Sequence, residues 1–129
     1  MSTVKSFRDL VVWQKSMALA VDVCKLTRAF PREEIYGLTS QLRRATVSVP
    51  SNIAEGFGRR SRLDYRNSLC IARGSVLEVQ TQLLIARELR YGDAERIAAA
   101  DGMADEVSRM LWALMEKIGS NKEAVARRP

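Results

Sequence analysis

Apolar positions in this chain recur at alternating steps of three and four, the spacing that gathers them on one side of a helix, and the strict alternation of a strand is absent. One series runs Ile97, Ala100, Ala104, Val107, Leu111, Leu114 and Ile118, and an earlier one runs Tyr65, Leu69, Ala72, Val76, Val79, Leu83 and Ala86. A third runs Leu38, Leu42, Ala45, Val49 and Gly56, with the polar Asn52 interposed. The breaks between them are equally legible. Phe30-Pro31 stops a first segment that starts about Phe7 and runs to Ala29, because proline disfavours helix in the residue before it. The second segment begins between Glu33 and Leu38 and ends about Phe57. Ser61, with Asp64 three residues on, opens a third that reaches about Arg90. Gly92-Asp93 then offers a glycine suited to a helix end and an aspartate suited to the next N-cap, and the fourth segment closes near Ile118-Gly119. Such seams, joined by short connections, predict an all-α protein: an antiparallel up-down four-helix bundle in one domain over residues 1–129, with a core over about 7–118 and a basic tail over 119–129.

The first segment carries two stripes. Leu10, Trp13, Met17, Val21 and Cys24 cluster on one side, while Val12, Leu19, Val23, Leu26 and Phe30 cluster well around the helix from them. One helix cannot turn both toward a single bundle core: either it lies unusually deep or the second stripe meets another subunit, and the latter is expected, as an oligomer interface.

Pro50 lies inside the second helix. It removes one N–H and deprives the Thr46 carbonyl of its partner, so a kink is expected there, with Ser48, Ser51 and Asn52 as nearby donors. The expected consequence is a structural polar network of Ser48, Pro50, Asn52, Glu55, Ser75 and Glu78, in which Asn52 reaches a neighbouring helix and Gly74-Ser75 lets the backbones approach closely.

Charge sharpens the functional picture. The 129 residues carry a formal +6 with no histidine, and residues 1–74 hold 13 Lys plus Arg against 6 acids while the remainder is nearly neutral. Sixteen of the 21 cations are arginine, whose planar fork suits phosphate oxygens. Residues 41–73 alone hold seven arginines, Arg43, Arg44, Arg59, Arg60, Arg62, Arg66 and Arg73, against two acids. These are the candidate nucleic-acid ligands, with Arg59, Arg60 and Arg62 foremost because they fall in a turn, and with membership of the polar network as the alternative for Arg44, which adjoins Ala45 on the seam. Nearby rings are few, so backbone contacts with little sequence discrimination are expected.

Other chemistry finds little support. Without histidine, the histidine-dependent acid–base and triad schemes are excluded, and Cys24 and Cys70 lack metal-ligand spacing. Glu55, Asp64 and Glu78 show no paired carboxylate pattern, and no phosphate-cradling glycine motif follows a strand. The expectations are therefore a protein that is not an enzyme, with no cofactor or metal. No apolar stretch at the N-terminus has signal-peptide length and no window approaches a bilayer span, so a cytoplasmic location with no membrane partner is expected. A purely structural oligomer that binds a protein partner remains the alternative to nucleic-acid binding.

The strings FRDLVVWQKSMALA, FPREEIYGLTSQLRRATVSVPSNIAEGFGR, ARGSVLEVQTQL and LWALMEKI together resemble the bacterial 23S ribosomal RNA intervening-sequence protein family, over about residues 7–118. The most specific piece is SVPSNIAEG, in which Pro50, Asn52, Ile53, Glu55 and Gly56 match the family string; Gly74, Ser75 and Glu78 match its GSxxE element. The resemblance implies antiparallel four-helix bundles that assemble as homopentamers. It also implies kinship with accessory proteins of diversity-generating retroelements, which bind nucleic acid and a reverse transcriptase.

Overall fold

The computed structural model describes residues 4–126, and side chains as far as Gly119. Four helices run in sequence: α1, Val11–Leu26; α2, Leu38–Phe57; α3, Arg62–Glu88; and α4, Ala94–Ala126. Short 3₁₀ turns flank α1 at Phe7–Asp9 and Thr27–Ala29, and another at Arg32–Glu34 leads into α2. Among the described residues there is no strand, and α2 packs on α1 and α3 while α4 packs on α3 and α1. This is the expected all-α four-helix bundle. The expected end of the fourth helix is corrected: its backbone stays helical past Gly119 to Ala126, while residues 127–129 of the proposed tail lie outside the described residues.

The three- and four-residue seams form the core. Leu42, Val49 and Ile53 of α2, Leu69, Val76, Val79 and Leu83 of α3, and Val107 and Leu111 of α4 are fully buried. Each such side chain contributes roughly 1.5–3 kcal/mol relative to exposure. By length and composition α3 also meets the requirement for a membrane span, with a mean hydropathy of 1.2 over its most apolar window. That corrects the expectation that no window comes near one. Leu69, Ala72, Val76, Val79, Leu83 and Ala86 of α3 are buried against α2 and α4, whereas Ile71, Leu77, Leu84 and Ile85 are exposed.

The largest departure concerns α1. Val12, Leu19, Val23, Leu26 and Phe30, expected at an oligomer interface, are all buried in the core of one chain. The outward stripe is the other one: Met17 and Val21 are exposed and Trp13 and Cys24 are half-buried. The reason lies in Ser16, which completes the rhythm 12, 16, 19, 23, 26, 30. Its hydroxyl donates to the Trp13 carbonyl at 2.8 Å, so it is buried without an unpaired polar atom.

Helix ends follow local chemistry. The Ser61 hydroxyl accepts from Asp64 N at 3.0 Å, and the Asp93 carboxylate accepts from Glu95 N at 2.8 Å and Arg96 N at 3.4 Å. At the end of α3, Tyr91 N reaches the Ala86 carbonyl at 2.9 Å and Arg90 N reaches that of Arg87 at 3.0 Å, a Schellman pattern. The left-handed residue in it is therefore Arg90, at φ 60°, rather than the expected glycine. Gly92 is also left-handed at φ 68°, and a Cβ there would lie 3.0 Å from the Phe30 ring.

Close approach of α2 and α3 occurs at Gly56, where a Cβ would lie 2.6 Å from Ser68 Cβ. It does not occur at Gly74, as expected from sequence, because that position is exposed with nothing within 4 Å. Two opposite outcomes follow. Gly74→Ala should stabilise by about 0.5–1 kcal/mol through helix propensity. Gly56→Ala should destabilise by at least about 1 kcal/mol through overpacking. Urea midpoints of the two variants check both, and a Gly56→Ala protein as stable as the parent would refute the close contact.

Candidate nucleic-acid interface

The polar residues around Pro50 do only part of what was expected of them. α2 continues through Pro50, and the side-chain donors go to Val47 and Ser48, one and two residues past the Thr46 carbonyl. Ser51 Oγ donates to the Val47 carbonyl at 2.8 Å, and Asn52 Nδ2 donates to the Ser48 carbonyl at 2.8 Å and to Ser48 Oγ at 2.9 Å. Asn52 thus serves its own helix. The link across helices is the Ser48–Ser75 hydroxyl pair, with 2.9 Å between the oxygens. Glu55 and Glu78 are both exposed and stand outside this cluster; Glu55 pairs with Arg59 one turn on. The buried Thr46 hydroxyl has no partner among the described residues. No three His, Cys, Asp or Glu side chains gather to hold a metal among the described residues.

The seven candidate arginines divide among three places. Arg59, Arg60 and Arg62 are exposed at the α2–α3 turn. Arg60 and Arg62 make no hydrogen bond or ion pair among the described residues. Arg59 and Arg60 also lie just beyond the negative end of the α2 dipole, which favours cations there independently of any ligand. Arg43 and Arg44 sit near the start of α2, about 20 Å away along its axis at 1.5 Å per residue. Arg66 and Arg73 lie along the α3–α4 flank. Arg66 Nε donates to the Met115 carbonyl at 3.3 Å, and the Arg73 guanidinium stacks over Trp112 at 5.2 Å, with its Nε buried and unpartnered among the described residues. Both are committed to packing α3 on α4. A window summed along the sequence therefore overstates the cluster, because an antiparallel pair sends its two ends apart.

Tertiary structure adds cations that the linear window missed. The Phe7–Asp9 turn packs on α2, and because α1 and α2 are antiparallel this brings Lys5 and Arg8 to the end of the bundle that carries Arg59, Arg60 and Arg62. Arg8 lies over its neighbour Phe7 at 4.6 Å. At the other end, exposed Arg28 and Arg32 join Arg43 and Arg44 around the α1–α2 connection. The proline break at Phe30-Pro31, which folds residues 28–32 back toward the start of α2, was the available signal.

That connection is braced by Glu34, whose carboxylate accepts from Leu38 N at 3.1 Å and from the Tyr91 hydroxyl at 3.0 Å. The bond to Glu34, then burial and the negative charges of Glu34 and Glu33, hold the Tyr91 pKa above the ordinary tyrosine value. Burial alone does the same for Tyr65.

Between α1 and α2 runs an apolar groove of about 500 Å³, lined by Trp13, Met17, Val21, Val47, Pro50 and Ala54 among others. The stripe of α1 that was expected to face the core forms one wall of it.

An antiparallel four-helix bundle with arginines at both ends and an open apolar groove on one side defines the class. The chain belongs to the 23S rRNA-intervening sequence protein family, which it matches over residues 8–113. A crystal structure of a protein of unknown function from the S23 ribosomal protein family of Bacteroides thetaiotaomicron superposes with a TM-score of 0.74. At 24% identity it covers 81% of this chain and 98% of that one, a likeness of fold. No curated protein matches the chain.

The hydroxyl cluster makes a direct prediction. Ser75→Ala leaves Ser48 without its partner across the helices and should lower stability by about 1 kcal/mol. Ser48→Ala should cost about the same, and the double variant should cost less than the sum of the two. Additive losses in urea titrations would show that the pair does not couple.

Proposed function

We propose that this protein is a non-enzymatic, cytoplasmic oligomer that binds RNA or DNA through backbone phosphates at the α2–α3 end of the bundle. The observation that carries the reading is the exposure of Arg60 and Arg62 without partners, on a turn held at a close helix–helix contact and flanked by Lys5, Arg8 and Arg59. An arginine already paired to a neighbouring acid must break that pair to reach a phosphate, whereas these two need not. The family's description, with its reference to 23S rRNA, adds weight to a nucleic-acid partner. Nothing in the arrangement reads bases, so affinity with weak sequence preference follows.

Removing both contacts with Arg60→Ala and Arg62→Ala should cut binding of structured RNA or duplex DNA by roughly tenfold or more at low salt. It should also lower the log–log salt slope by about 1.4–1.8, at 0.7–0.9 per phosphate. Helical circular dichroism should be unchanged. An undiminished slope would remove this end of the bundle from the interface.

A second reading, assembly without direct nucleic-acid contact and with a protein partner such as a reverse transcriptase, draws on the α1–α2 groove. We place self-association there, in the homopentamer that the resemblance implies, because Met17 and Val21 are 39% and 46% exposed and adjoin a continuous apolar surface. Val21→Asp should then reduce the mass in solution to that of one chain while helicity persists. Unchanged mass by light scattering would put the interface elsewhere.

A further inference from the structure

We infer that the α1–α2 corner is a second, discrete anion site, built to take the phosphate monoester of a nucleotide. A cavity of about 350 Å³ opens there, and Arg28, Arg32, Arg43, Thr27 and Thr39 supply its polar lining. This lies within the size range of small-ligand pockets and exceeds what a phosphate alone would fill, leaving room for the attached sugar. Phe30, Pro31 and Ile35 form an apolar wall beside the charges.

The site is organised before any ligand arrives. Arg43 Nε donates to Thr27 Oγ1 at 2.9 Å, and the Thr27 hydroxyl donates in turn to the Cys24 carbonyl at 2.9 Å. A chain of two part-buried bonds thus holds the guanidinium at its Nε while its terminal N–H groups make no bond among the described residues, the arrangement that suits a bidentate grip on phosphate oxygens.

Thr39 adds a hydroxyl to the lining: the residue is 4% exposed, and its hydroxyl makes no hydrogen bond among the described residues while its oxygen stays accessible to solvent. An open hydroxyl beside three arginines can donate to a phosphate oxygen. Arg28 and Arg32 are exposed at the rim and likewise unpaired. Of the acids in this connection, Glu33 is exposed, and Glu34 is held by Leu38 N and the Tyr91 hydroxyl; neither lines the cavity.

The bundle itself excludes one simple alternative. Arg43 sits near the start of α2 and Arg60 beyond its end, so this corner and the α2–α3 turn lie at opposite ends of a helix about 30 Å long. One phosphate group cannot bridge them. The inference therefore stands apart from the strand-binding reading and can survive its failure.

A phosphate monoester has two sources, a free mononucleotide or the 5′ end of a strand, and the test separates them. Binding of AMP, adenosine and inorganic phosphate to the full chain is measured by calorimetry. Single strands with 5′-phosphate and 5′-hydroxyl ends are then compared by fluorescence anisotropy. AMP should bind roughly tenfold or more tightly than adenosine, the value of losing charge-assisted hydrogen bonds. The Arg28→Gln, Arg32→Gln double variant, which keeps Arg43, should shrink that difference several-fold, and Thr39→Val should weaken AMP several-fold while leaving adenosine unchanged. These three positions are at the surface or fill space conservatively, and circular dichroism checks that the variants fold.

A preference for the phosphorylated strand assigns the group to a strand end; AMP binding without that preference assigns it to a free nucleotide, and either supports the site. Equal affinity for AMP and adenosine, or no binding of AMP, overturns it. So does a double variant that prefers AMP as strongly as the parent. If AMP binds while the salt series on strands shows no affinity, the reading of the α2–α3 end fails and this one stands.

Discussion

The arrangement of charges and hydroxyls on this protein depends on how closely α2 approaches α3. Gly56 meets Ser68 with no room for a Cβ, and less than three turns earlier along α2 the Ser48 and Ser75 hydroxyls meet at 2.9 Å. Small side chains at both points let the apolar seams interdigitate, with Val49 and Ile53 on one side and Leu69, Ala72 and Val76 on the other, all buried. The approach sets the position of the turn at residues 58–61 and with it the direction in which Arg59, Arg60 and Arg62 project.

Pro50 belongs to the same constraint. Its ring is buried and forms part of the wall of the α1–α2 groove, while Ser51 and Asn52 add hydrogen bonds to carbonyls in the preceding turn. Those donors are short and act within the helix rather than reaching across the groove. The groove beside them stays apolar as a result. The proline segment thus joins the packing of α2 on α3 to the surface that α2 shares with α1.

Cations on the bundle fall into those that hold it together and those left over. Arg66 and Arg73 bind α3 to α4 through a carbonyl and an indole ring, and Lys15 pairs with Glu106 at 2.8 Å across α1 and α4. That exposed pair contributes at most about 1 kcal/mol. Arg43 is locked to Thr27. Arg8, Arg59, Arg60 and Arg62 sit near one end of the α1–α2 pair and Arg28, Arg32 and Arg44 near the other, by the helix connections, while Arg109 pairs with Asp105 midway along α4. Net charge alone could not make this division, because it counts an arginine stacked on Trp112 and one standing free as equals.

Helix number, the boundaries of α2 and α3 and the seams of α2, α3 and α4 were legible in the chain itself, since periodicity, caps and breakers act over a few residues. Ser61 and Asp93 cap as their positions foretold, and the FPR segment stops α1 as proline requires. What local pattern left undecided was which of two apolar stripes on α1 turns inward. That choice rested on Ser16, whose burial is acceptable only because its hydroxyl finds the Trp13 carbonyl. The same limit applied to the candidate site. Lys5, Arg8, Arg28 and Arg32 join their partners only when helices run antiparallel, and Arg66 and Arg73 leave the set only when α4 lies beside α3. Sequence spacing records neighbours along one helix, whereas burial, charge clustering and open grooves arise from contacts between helices distant in sequence.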